Sequence, residues 1–221
     1  MNDALIININ KPMDWTSFDV VNKIRHTTKI KKVGHAGTLD PFATGVLVVL
    51  TGKNTKRQDE FMSLSKIYEA DITLGQLRDT GDRTGVVTET KPVPELNHKT
   101  IRAVLDSFIG DIEQVPPMYS AKKVNGKKLY KLARQGKTVE RKPSIVTING
   151  IDLLSVGEDA IRIRVSCGKG TYIRVLAEDI AKALDTVAYV EELKRIAVGD
   201  YRIEDAISIP EFIENWKSYA A

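Results

Sequence analysis

The amino-acid sequence predicts an α+β fold, with a mixed and mainly antiparallel central sheet flanked by helices, on three observations. In KIYEADITLG, Tyr68, Ala70, Ile72 and Leu74 alternate with Glu69, Asp71 and Thr73, the period of a strand with one buried face. Ile161, Ile163, Val165 and Cys167 alternate in the same way with Arg162, Arg164 and Ser166. That strand leads through GKGT into a helical stripe of Ile173, Leu176, Ala177, Ile180 and Leu184. The apolar run at residues 46–50, bounded by Gly45 and Gly52, reads as a fully buried strand. Strands therefore alternate with helices in both halves.

Taken in order, residues 5–9 form a short strand, and Ser17 caps a helix that carries Val20, Val21 and Ile24 on one side. After the strands around positions 46–50 and 68–74, a helix starts behind Asn97, buries Ile101, Val104, Leu105 and Phe108, and stops at Gly110. LYKLARQG is a further helix ending at Gly136. Thr171 is placed to cap the last stripe, with Arg174 beside it near the helix start. No repeat, low-complexity tract or linker interrupts the 221 residues, so one unit spanning 1–221 is expected.

Composition limits the function. A hydrophobic fraction of 42% with 28% charged residues is that of a soluble globular protein. No apolar run approaches the roughly 20 residues that span a bilayer, and MNDALIININ lacks the regions of a secretory signal, so a cytoplasmic location is expected. The single cysteine, Cys167, suits a reducing compartment. His26, His35 and His98 have no metal-ligand spacing, GKGT lacks the upstream glycine of a phosphate loop, and neither a GxSxG elbow nor a GxGxxG fingerprint is present. Metal, nucleotide-hydrolysing and dinucleotide chemistry are thereby disfavoured.

Charge points to a polyanion. Residues 120–142 hold nine basic side chains against Glu140 alone, whereas residues 177–221 hold ten acidic against five basic ones. A second cluster, Lys23, Arg25, Lys29, Lys31 and Lys32, contains no acid. Such clusters suit phosphates, and the alternative for each is a solvated helix face. Just after the second cluster comes GHAGTLDPFATGVL, in which Gly34, Gly37, Gly45 and Pro41 surround Asp40. Pro41 restricts the Asp40 backbone and the glycines permit tight turning. On residues alone, the segment suits either a capped turn or a carboxylate placed for chemistry.

GHAGTLDPFATGVL, then KIYEADITLG, then PPMYSAKKVNGKKLYKLARQGKTVERKP, then GKGTYIRVLAEDIAKAL together resemble the bacterial tRNA pseudouridine synthase B (TruB) family. The resemblance runs from INKP at residues 9–12 to VGDY near Tyr201. It implies the pseudouridine synthase fold and conversion of a uridine in the tRNA T loop, position 55, to pseudouridine. Such an isomerisation needs no cofactor and no metal, and one carboxylate is enough because water is not a reactant. The matching residues imply Asp40 as the catalytic aspartate, Arg174 as its partner, and Tyr68 stacked on the target uracil. They imply Leu193 beneath the base, His35 in the space left by the turned-out nucleotide, and Asp82 on flipped-out bases. Lys11, Lys56, Lys127 and Lys128 are expected to hold phosphates or shape the RNA groove. A monomer acting on the T arm of tRNA, with no obligatory protein partner, no membrane and no C-terminal PUA module, is expected. A noncatalytic RNA-binding protein is the alternative; Asp40, Tyr68 and Arg174 together favour the enzyme.

Overall fold

The computed structural model describes residues 3–124 and 126–219. The chain divides into two compact units, Met1–Tyr68 with Leu193–Ala221, and Glu69–Glu192. In chain order, the first unit opens with β1 (Ile6–Lys11), α1 (Ser17–Thr28), β2 (Val33–Ala36), β3 (Thr44–Thr51) and, after a 3-10 turn at Gly52–Arg57, α2 (Gln58–Ser63). β4 (Lys66–Leu74) contributes to both units. It is followed by β5 (Gln76–Arg78), β6 (Val87–Thr90), α3 (His98–Asp106), β7 (Gly110–Gln114), β8 (Lys123–Val124), β9 (Lys127–Lys128) and α4 (Leu129–Ala133). Then come β10 (Ser144–Val156), β11 (Ala160–Cys167), α5 (Ile173–Ala183), β12 (Ala188–Val198), β13 (Tyr201–Arg202) and α6 (Ile209–Tyr219).

In the first unit β3 is the organising strand. β1 pairs with it antiparallel from Ile6↔Leu50 to Lys11↔Gly45, and β2 from Val33↔Thr51 to Ala36↔Val48. β12 runs parallel to its first residues, Lys194 opposite Thr44 and Arg195 opposite Gly45, which makes the sheet mixed. One face of β3 places Leu47 and Val49 with Ile7, Ile9, Val20, Val21, Ile24 and Phe212. The other places Val46, Val48 and Leu50 with Ala36, Phe61 and Val198. Burial on both faces is why residues 46–50 read as a continuous apolar run and not as an alternation. α1 begins one residue earlier than expected: Thr16 is the cap, in a reciprocal box with Asp19, and Ser17 is the first helical residue. The Ser17 hydroxyl is thereby freed for Leu39.

In the second unit the strands lie in the order β4, β11, β10, β7. β10 pairs antiparallel with β11, through two irregularities, and with β7 from Ser144↔Gln114 to Ile148↔Gly110. Alternation holds on β4 and β11, and the α5 stripe is buried as its spacing predicts. Gln114, not Thr171, serves the start of α5: its side-chain oxygen accepts from the Tyr172 N–H at 3.0 Å. α3 starts after Asn97 as expected but ends at Asp106, because Gly110 already opens β7. α4 likewise ends at Ala133, short of Gly136. Among the described residues no helix is long and apolar enough to cross a membrane.

Candidate active site

Asp40 stands half-exposed in the loop that enters β3, and the residues around it are fixed one by one. Leu39 is held on both backbone groups by Ser17, whose hydroxyl accepts from Leu39 N–H at 2.9 Å and donates to its carbonyl at 3.1 Å. The Pro41 carbonyl accepts from Asp14 N–H at 2.9 Å and from Lys11 Nζ at 3.1 Å, and the Asp40 carbonyl accepts from Ala43 N–H at 3.1 Å. The Asp40 carboxylate therefore projects from a backbone pinned at positions 39 and 41.

Two buried cations hold this loop. The first is Lys11, fully buried, with Nζ donating to the carbonyls of Pro12 (2.8 Å), Trp15 (2.6 Å) and Pro41. Burial, opposed mainly by the Asp40 charge, lowers the Lys11 ammonium to about 8. The expected phosphate contact is corrected here, because an ammonium whose donors all meet backbone carbonyls presents nothing to RNA. The second is Arg195, also buried, with Nε on Val46 O at 2.7 Å and Nη2 on Gly37 O at 3.0 Å. Its Nη1 lies 3.4 Å from the Tyr68 hydroxyl. No motif in the sequence marks Arg195. The available signal was parity: on β12 it shares the buried face with Leu193 and Ala197, whereas Lys194 faces out.

Arg195 also accounts for one of the glycines. At Gly45 (φ +103°) a Cβ would collide with the Arg195 backbone, whereas at Gly37 it is the backbone itself, at φ +86°, that favours glycine. Gly34 differs: it lies in β2, has no positive φ, and a Cβ there would meet open space, so the local turn does not explain it. Tyr68 and Leu193 are both buried. His35 is half-buried on β2, its carbonyl accepting from Gln58 Nε2 at 3.0 Å.

In the second unit Arg174 sits in the first turn of α5, 3% exposed. Its guanidinium donates to the carbonyls of Thr80 and, at 2.8 Å, Tyr119, and approaches Asp82 Oδ2 at 3.5 Å. Asp82 is itself buried, and its Oδ1 accepts from Thr80 Oγ1 (2.9 Å), Thr84 N–H (3.0 Å) and Thr84 Oγ1 (2.5 Å). The expectation that Asp82 touches bases is corrected: with both oxygens engaged, it orders the 80–84 turn and braces Arg174. Glu178, one helical turn beyond Arg174, packs against Gly81. Burial, then the Asp179 charge, push its carboxyl up to about 7, with Arg174 opposing.

The remaining lysines are placed differently. Lys127 and Lys128 are exposed on β9, Lys128 Nζ 5.7 Å from the Tyr130 ring centroid. Lys56 is exposed in the turn after β3, at the opposite end of that strand from Asp40. Asp40, Lys11, Tyr68, Leu193 and Arg195 thus belong to one unit, and Arg174, Asp82 and Glu178 to the other. Among the described residues no three His, Cys, Asp or Glu side chains are grouped to hold a metal ion.

Comparison with known proteins adds the chemistry. Residues 25–173 match the family model described as TruB family pseudouridylate synthase, N-terminal domain. The chain is similar to the tRNA pseudouridine synthase B of Phocaeicola vulgatus, 46% identical over 215 residues that cover 95% of this chain and 92% of the relative. The protein of that name from Clostridium kluyveri is 47% identical over 210 residues, covering 95% and 72%. A chain in the crystal structure of a Cbf5-Nop10-Gar1 complex superposes with a TM-score of 0.76 at 27% identity. That likeness covers 97% of this chain and 55% of the other, so this chain spans about half the length of that structural relative.

Proposed function

We propose, because the chain belongs to the TruB family of pseudouridylate synthases, that it isomerises uridine to pseudouridine in the T loop of tRNA, at position 55. A pseudouridine synthase is an isomerase: the N1–C1′ bond breaks, the uracil turns, and a C5–C1′ bond forms. The C5 proton leaves as N1 gains one, so atoms and charge balance with no oxidant, reductant or hydrolytic water. One well-placed carboxylate is the chemical demand, and Asp40 meets it.

The observation that carries this reading is the clamp on the Asp40 loop. Lys11 and Arg195, both out of water, spend their donors on the carbonyls of Pro41 and Gly37, and Arg195 adds the Tyr68 hydroxyl. Burying two cations is unfavourable unless their donors are satisfied. Here they fix the residues on either side of one half-exposed aspartate, an arrangement that a mere capped turn does not require. Asp40 is the catalytic residue. Tyr68 stacks on the uracil, Leu193 packs beneath it, and His35 fills the space of the turned-out nucleotide. Arg174 orients the carboxylate, and Asp82 positions Arg174. Lys127 and Lys128 grip phosphates. The protein acts as a monomer, in the cytoplasm, on the T arm.

Tritium release from a tRNA transcript carrying 5-tritiated uridine tests the proposal. One equivalent is released per tRNA, and a transcript with cytidine at position 55 releases none from the T loop. Release that persists with cytidine there would move the substrate elsewhere, and no release from any tRNA would remove the assignment.

A further inference from the structure

The fold gathers the lysines that precede the Asp40 loop with Lys56, already expected to meet phosphate, into a surface of their own. Lys29, Lys31 and Lys32, between α1 and β2, meet Lys53 and Lys56 of the turn after β3 around a concavity of about 670 Å³. Trp216 of α6 forms its apolar wall. All five lysines are exposed, and among the described residues none forms an ion pair. The one acidic side chain that lines the concavity is Asp3, which leaves a strong positive excess.

The local backbone is built to this shape. Lys29 closes α1 in the left-handed conformation (φ 62°), which turns the chain sharply back toward β2. Gly52 N–H donates to the Lys32 carbonyl at 2.8 Å, so the two lysine-bearing segments are tied by backbone. At Gly52 (φ +52°) a side chain would collide with the Asp3 carbonyl, so only glycine lets the turn after β3 approach the segment before β1. Like charges from two segments held on one concave surface repel one another unless a polyanion neutralises them. A helix face that merely solvates its lysines does not need this convergence.

Position identifies the ligand. The concavity adjoins Gly52, at one end of β3, and the Asp40 loop enters the other end at Thr44. Eight residues at about 3.3 Å each separate the two by roughly 25 Å, within a single compact unit. A mononucleotide reaches one end or the other. A nucleic acid, whose charge repeats along its length, reaches both at once. Lysines are flexible point charges that suit backbone phosphates and carry no base preference. Resting on the proposal that this enzyme acts on tRNA, we infer that the Lys29–Lys56 concavity is a second anchoring site for the phosphodiester backbone of the substrate RNA, remote from the reacting uridine.

The test replaces Lys29, Lys31, Lys32 and Lys53 together by Gln, with the four Arg replacements as a charge-retaining control. Binding to unmodified tRNA is measured across a salt series. The Gln variant is expected to bind about tenfold or more weakly at low salt, with a salt slope shallower by roughly two to three, while the Arg variant keeps the parent slope. A short RNA of T-loop nucleotides alone cannot span both ends, and parent and Gln variant should bind it within about twofold, because the counterions released at the concavity are not involved. Equal affinity and slope for parent and Gln variant on tRNA would overturn the inference. So would an equal loss on tRNA and the short RNA, which would indicate a general field and no local site. Tritium release by the parent is a separate readout: its absence would contradict the substrate assignment, whereas binding and slope decide the concavity.

Discussion

The Arg195 guanidinium lies against Tyr68, Nη1 3.4 Å from the hydroxyl oxygen and its central carbon 5.9 Å from the ring centroid. The same group holds the Gly37 carbonyl, three residues before Asp40. One buried side chain therefore sets the aromatic ring and the aspartate loop in register.

Replacing Arg195 by Met should separate positioning from binding. It leaves the Val46 and Gly37 carbonyls without their donor, and stability should fall by about 2–4 kcal/mol in urea denaturation. Among molecules that remain folded, the single-turnover rate should drop by roughly 10- to 100-fold as the loop loosens, with the Kd for tRNA unchanged. Arg195→Lys should recover stability in part and rate less. A lowered folded fraction with normal turnover per folded molecule would make Arg195 structural only.

Lys11 imposes a pH dependence. Its ammonium, at about 8 because of burial, is charged below that pH and favours the Asp40 carboxylate. The single-turnover rate should therefore fall as pH rises through about 8, and Lys11→Met should be slower and lack this limb. Stability runs the other way. Between about 8 and the ordinary 10.5 the unfolded chain binds the extra proton, so the parent should gain stability relative to Lys11→Met across that window. A parent rate that is flat from pH 7 to 9.5 would disconnect Lys11 from Asp40.

Asp82→Asn keeps an acceptor for Thr80 and Thr84 but weakens the hold on Arg174. kcat should fall about tenfold, with the Kd for tRNA changed by less than about threefold, the mark of lost transition-state positioning. A rise in Kd with kcat intact would restore the role in touching bases that burial argues against.

Gly45→Ala should be among the most damaging small substitutions. The added methyl meets the Arg195 backbone at a φ of +103° that alanine avoids, where β3 and β12 pair. A loss of about 3 kcal/mol or more, or failure to accumulate as folded protein, is expected. Wild-type melting behaviour would mean that the two strands are not so close.

Much of this was legible in the sequence because it depends on local period. The alternation about Tyr68 and the stripe from Ile173 place β4 and α5 from spacing alone, and the Asp-Pro among glycines marks the Asp40 loop. The roles of Lys11, Asp82 and Arg195 were not legible, because they rest on tertiary burial. Lysine and arginine are ordinarily solvated, and only the meeting of β1, β3, β12 and the Asp40 loop takes Lys11 and Arg195 out of water. Ser17 shows the same limit on a smaller scale. Its type suits a cap, but Thr16 with Asp19 fills that role better, and Ser17 turns to Leu39. The ends of α3 and α4 are not legible from spacing, because glycine stops a helix and also opens a strand or turn.

The central claim is that one anchored carboxylate, Asp40, performs the isomerisation, and Asp40→Asn tests it most directly. Parent and variant are compared for tRNA binding and for single-turnover tritium release from 5-tritiated uridine at saturating enzyme. Asparagine keeps the size and the backbone anchors at Leu39 and Pro41 and removes only the charge. The variant should bind tRNA within about threefold of the parent and release no tritium above background, a rate loss of at least roughly 10⁴-fold. Tritium release near the parent rate, with contaminating enzyme excluded, would contradict the account.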